Sequence, residues 1–141
     1  MKKIILIVIG VVLVLAILAQ LVPLPLRGNN PPVVAEPKWD SPQTRALAKR
    51  ACFDCHSNET TWPWYSYVAP VSWLIYRDVT EGRSRLNFSE WNQNQPAALE
   101  ASEQVLSGEM PPSIYLPLHP SSRLTTAERQ QLATGLNNSL K

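Results

Sequence analysis

The chain has 141 residues, thirteen basic and eleven acidic, with two cysteines and thirteen prolines. That length is enough for one small domain beside a membrane segment. Two of the basic residues are Lys2 and Lys3, so the remainder is formally neutral and offers no electrostatic reason to expect nucleic acid as a partner.

Met1-Lys2-Lys3 precedes an apolar run from Ile4 to Ala19, carried past Gln20 by Leu21 and Val22. A helix of that length reaches across a bilayer. The run exceeds the core of an ordinary signal peptide, and Ile17-Leu18-Ala19 is an imperfect cleavage site. A retained anchor over residues 1–22 is therefore favoured over a cleaved leader. The positive-inside rule keeps Lys2 and Lys3 in the cytoplasm and exports the chain beyond Val22. Residues 23–38 come next, and Pro23 to Pro37 carry five prolines and a glycine. That composition forbids a helix and predicts an extended linker holding residues 39–141 off the membrane.

Ser41 is a good N-cap with Pro42 at the first helical position, which predicts a helix running into Cys52. There the chain reads Cys52-Phe53-Asp54-Cys55-His56, and these are its only cysteines. Two thiols at this spacing can each add to a vinyl group of one porphyrin, and the following histidine becomes the proximal iron ligand. A disulfide or dithiol redox pair is the first rival. A thioredoxin-like site needs a β-α-β context and a thiol at a helix N-terminus, whereas these thiols follow a helix C-terminus. Zinc is the second rival, but His56 stands too close behind Cys55 for the usual ligand pairs, and the other histidine, His119, is distant.

Trp62, Trp64, Tyr65, Tyr67 and Trp73 crowd the segment after the motif. Such rings can cover a porphyrin face while their polar tips reach its rim, or they can be plain core. Val71 to about Glu81 reads as a helix ending before Gly82. Arg77, Arg83 and Arg85 nearby are candidates for pairing with haem propionates, against the simpler reading of a solvated basic face. The sequons Asn58-Glu59-Thr60 and Asn87-Phe88-Ser89 would have no meaning if the protein is bacterial. A further helix is expected from Pro96 to Leu106, closed by Gly108.

Met110 follows, stiffened by Pro111 and Pro112, and is the candidate distal ligand. His119, in Leu118-His119-Pro120, is the runner-up, and a packing role is the alternative for the methionine. The last helix starts at Thr125-Thr126-Ala127-Glu128, a capping-box signature, with Leu132, Leu136 and Leu140 on one face. No alternating run is long enough for a strand, so the class is all-α. No internal repeat is visible, so one haem is expected.

These segments together resemble the bacterial haem-binding-domain family, a branch of mono-haem cytochrome c-like proteins. The resemblance rests on Cys52–Thr60, Trp62-Pro63-Trp64-Tyr65, Ala69–Trp73, Leu86–Trp91, Glu109–Pro112 and Leu118-His119-Pro120. It implies one covalent haem c, attached outside the cytoplasm, and a small cytochrome c-like helical domain. Ordinary small cytochromes c end their first helix at the motif and cross it with a last helix; this chain departs by inserting Trp-Pro-Trp-Tyr soon after His56. The expectation is a single-pass protein of the bacterial inner membrane, its haem domain in the periplasm, carrying single electrons to a periplasmic or membrane redox partner. A haem-based sensor, a small peroxidase with a labile sixth ligand, and a haem subunit of a larger membrane redox complex are the alternatives. No acid, base or nucleophile constellation beyond the haem motif points to an enzyme.

Overall fold

The computed structural model describes residues 1–24 and 28–140; positions 25–27 of the expected linker, and Lys141, lie outside the described residues. Among them are six α-helices, two 3₁₀ turns and no strand. The helices are α1 (Lys2–Gln20), α2 (Pro42–Ala51), α3 (Phe53–His56), α4 (Val71–Arg85), α5 (Ala101–Ser107) and α6 (Thr126–Ser139). The chain divides into two compact units, residues 1–29 with 62–78 and residues 30–61 with 79–141.

In the first unit, α1 is apolar on every side and buries none of its residues. A helix of that kind has no soluble partner to face. It is long and apolar enough to cross a membrane. Its last residue, Gln20, turns its side chain onto the backbone of Ala69, accepting from the N–H at 3.1 Å and donating to the carbonyl at 3.4 Å. The neighbouring segment forms a 3₁₀ turn at Trp64–Tyr67 and then enters α4.

The second unit holds the apolar core. Ser41, in an extended conformation, accepts from the Thr44 N–H and starts α2, with Pro42 in the first turn as expected. Leu47, Ala48 and Ala51 face inward. The capping box of α6 is complete, Thr125 and Glu128 each accepting from the other's backbone N–H. From α6, Leu132, Ala133 and Leu136 join the same core. The two helices touch at Gly135, where a Cβ would stand 2.1 Å from Thr44 Oγ1. Only a residue without a side chain permits that approach.

Two helix boundaries differ from the sequence reading. The helix expected to stop before Gly82 runs through it to Arg85, a cost of about 1 kcal/mol against alanine that tertiary contacts offset. The helix expected from Pro96 begins only at Ala101. The intervening residues form tight turns, with Ala98 and Glu100 bonding carbonyls three residues back and Ala97 bonding Arg85. Gly108 closes α5 at φ 86°, the left-handed cap its position foretold. Arg129 of α6 also donates to the Val105 carbonyl at 2.8 Å, an acceptor it shares with the Gly108 N–H that caps α5.

Ahead of Trp39 the chain is already bonded to the rest of its unit. Val34 and Ala35 donate to the Ser89 carbonyl, and Trp91 donates to Ala35, forming an isolated parallel bridge. Glu36 takes a two-pronged bond from Arg45 at 2.6 and 2.7 Å. The guanidinium holds that carboxyl below the ordinary range.

Candidate functional site

The residues singled out around the motif fall on one short turn. Cys52 ends α2 and precedes α3, which contains Cys55 and His56. The N–H groups of Cys55 and His56 both bond the Cys52 carbonyl, at 3.2 and 2.9 Å, winding the motif into a single coil. Neither cysteine is in a disulfide. Burial, reinforced by the neighbouring Cys55, pushes the Cys52 thiol up to about 12. That direction is the opposite of the acidic thiol a dithiol oxidoreductase needs. Among the described residues no three His, Cys, Asp or Glu side chains converge as a metal cluster.

The imidazole of His56 is held with its orientation fixed. Its Nδ1 lies 3.0 Å from the carbonyl oxygens of both Gly82 and Leu86, at the end of α4. Both partners are acceptors only, so Nδ1 carries the proton and the lone pair sits on Nε2. Burial lowers the His56 pKa, against the two carbonyl bonds, which keeps the ring neutral. A neutral, oriented imidazole with Nε2 available is the form that ligates iron.

Gly82 makes this possible. A Cβ there would lie 2.5 Å from the Cys55 carbonyl oxygen and 3.2 Å from its Cβ, so the absent side chain lets α4 rest directly on the motif. The same Gly82 carbonyl also accepts the Leu86 N–H at 2.9 Å. Sequence reasoning read Gly82 as punctuation and missed this role; a lone glycine in an otherwise helical stretch was the available signal.

A buried polar network braces the far side of the motif. Asn58 donates to the Pro32 carbonyl and to Glu90, both at 2.9 Å, and receives Asn87 at 3.0 Å. Its backbone N–H donates to Ser89 Oγ, and Asn87 accepts the Ser89 N–H. The two asparagines of the sequons are thus interior residues that fix the chain after the motif to the segment after α4. Phe88, next to Asn87, joins Trp39, Phe53 and Trp91 in an aromatic cluster with centroid separations of 5.2 to 6.4 Å.

Arg83 is the one of the three arginines built into this region. It donates to the Ser57 carbonyl, Thr60 Oγ1 and Asn30 Oδ1 at 2.8 to 2.9 Å. Its Nη1 is buried without an acceptor. Arg77 and Arg85 are exposed, each against an acidic residue of its own helix.

Met110 is half-buried against the core, with its N–H bonded to the Gln104 carbonyl at 3.0 Å. His119 stacks on Tyr115, ring centroids 3.7 Å apart and nearly parallel, and its Nδ1 lies 3.0 Å from the Tyr115 carbonyl. The Tyr115 hydroxyl donates to Asp54 inside the motif, so the His119 segment is fastened to the candidate site. Trp62, Trp64 and Trp73 belong to the first unit, where Trp64 and Trp73 are exposed.

The sequence profile of a haem-binding domain matches residues 14–138, nearly the whole chain. The chain belongs to the haem-binding domain family. Neither the curated proteins nor the solved structures yield a significant match to it. Within this haem-binding domain the residues fit the group the family name requires. His56 offers a directed neutral Nε2, and Arg83 has a buried donor without an acceptor, which a carboxylate such as a propionate would satisfy.

Proposed function

We propose that this is a membrane-anchored, c-type mono-haem protein that passes single electrons to a redox partner from the periplasmic side of a bacterial inner membrane. Cys52 and Cys55 would hold one haem c, each S–H adding across a vinyl double bond so that sulfur joins carbon and the proton moves to the neighbouring carbon. His56 Nε2 and Met110 would hold its iron. Arg83 would take a propionate. The haem supplies the one-electron iron couple when bound.

The orientation of His56 carries the reading. Two carbonyl acceptors on Nδ1 leave the lone pair on Nε2, and they lend the ring electron density that would strengthen it as a donor. The raised Cys52 pKa counts against the dithiol rival. For the distal position, Met110 is supported by its half-buried thioether on a segment stiffened by Pro111 and Pro112. His119 is the second reading, because its Nδ1 lies 3.0 Å from the Tyr115 carbonyl and its segment is fastened to Asp54 of the motif through Tyr115.

Intact mass and a pyridine haemochrome spectrum of protein made with a maturation system test the attachment. The expected result is one added haem, retained on acid extraction and lost in the Cys52→Ala, Cys55→Ala double variant. A mass with no haem, or an internal disulfide, ends the reading. Met110→Ala should abolish the long-wavelength sulfur-to-iron band of the oxidised protein. If that band is absent from the parent and His119→Ala alters the low-spin spectrum, the ligand is His119.

A further inference from the structure

Residues 60–76 contain no charged side chain, although six of them, Trp62, Trp64, Tyr65, Tyr67, Trp73 and Tyr76, are aromatic. In a soluble domain such a stretch would be core. Here Trp64 is 77% exposed, Tyr67 47%, and Val68, Val71, Trp73 and Leu74 also lie open. Apolar surface of that extent, contiguous in sequence, marks an interaction site.

The first unit identifies what covers it. Helix α1 spans 19 residues, about 28 Å at 1.5 Å per residue, which matches the hydrocarbon thickness of a bilayer at roughly 30 Å. With Lys2 and Lys3 at one boundary, Gln20 stands at the other. The Gln20 side chain holds the Ala69 backbone through both its N–H and its carbonyl. Tyr67 is drawn to the chain just beyond α1, where it lies over Gly28 so closely that a Cβ would meet its hydroxyl. The exposed aromatic segment is therefore fastened at the depth where a spanning helix leaves the hydrocarbon. Tryptophan and tyrosine concentrate at that depth because an apolar ring and a polar tip are both satisfied there.

We propose that residues 62–76 are a lipid-binding footing that seats in the phospholipid headgroup region of the same bilayer that α1 crosses. Trp64 and Trp73 then face lipid rather than the cofactor the sequence assigned them. The assignment requires α1 to be retained, and it does not depend on haem attachment. Charge is consistent with the depth, since the first ionic groups after the segment, Arg77 and Asp78, pair with each other at 2.7 Å.

Full-length haem-loaded protein in phosphatidylethanolamine–phosphatidylglycerol vesicles, doped with a phospholipid carrying a diazirine in its upper acyl chain, tests this. After irradiation, lipid adducts are expected on α1 and on residues 62–76, and not on α6. The variant carrying Trp64→Glu and Trp73→Glu should lose the second set several-fold while keeping the first, with its helical circular dichroism intact. Adducts confined to α1 in the parent protein overturn the proposal whatever the variant does. So does recovery of residues 62–76 cross-linked to another protein in native membranes, or an intact mass showing that α1 has been removed.

Discussion

Two aromatic regions of this chain have opposite surroundings. Phe53 and Phe88 are fully buried, in a cluster completed by Trp39 and Trp91, while Trp64 and Trp73 stand in the open. The conspicuous concentration in the sequence is the exposed one, and the buried cluster is assembled from rings scattered between residues 39 and 91. Density of aromatic residues along a chain says that something apolar will cover them. Whether the cover is protein, cofactor or lipid depends on what the backbone brings alongside.

The contrast can be broken from either side. Phe88→Ala should cost the most, about 4 kcal/mol of unfolding free energy in denaturant titration, because a ring with 1% exposure leaves a cavity behind. A loss below that of an ordinary surface change would mean the cluster is not core. Asn87→Ala comes next at about 3 kcal/mol, since it strands the Asn58 Oδ1 acceptor and the Ser89 N–H donor in the interior. Gly82→Ala should cost about 2 kcal/mol, the new Cβ pressing on the Cys55 carbonyl against a small gain in helix propensity. If Gly82→Ala instead stabilises the protein, α4 does not rest on the motif.

Acid sharpens the comparison more gently. The Glu36 carboxyl is lowered from 4.5 chiefly by its bond with Arg45. A depressed carboxylate contributes stability above its unfolded pKa and loses it as pH falls through the folded value. Stability should therefore decline below about pH 4.5, and Glu36→Gln should flatten that part of the profile by a modest amount. Smallest of all, Trp64→Ser in detergent should change unfolding free energy by no more than about 0.5 kcal/mol, the range of ordinary surface positions. A large loss would show that Trp64 is structural after all.

Signals that act within a few residues were legible in the sequence. Ser41-Pro42 and Thr125–Glu128 mark helix starts, and Gly108 a helix end, because caps are local chemistry. The Cys52–His56 spacing was equally plain, since it is set within five residues, and the expectation of haem drawn from it agrees with the family match. What was not legible depended on approach between distant segments. Nothing near Gly82 says that α4 will lie on Cys55, or that its carbonyl will meet His56 twenty-six residues earlier. Asn58 and Asn87 look like surface residues until each is found to be the other's partner. The turns ahead of α5 were hidden in the same way, since Gln95 joins its side chain to the Asn87 N–H and the Glu90 carbonyl.

The meeting of Thr44 with Gly135 has a bearing on how this chain matures. The inner face of α2 finds its cover on α6, and Asp40 further back is bonded to Ser139. Contacts spanning more than ninety positions are closed late and at high entropic cost. During synthesis the earlier helix must wait, with Leu47 and Ala48 uncovered, until residues near 136 have been made. Any modification of the cysteines that precedes folding would therefore meet them on an open polypeptide, before α6 closes over α2.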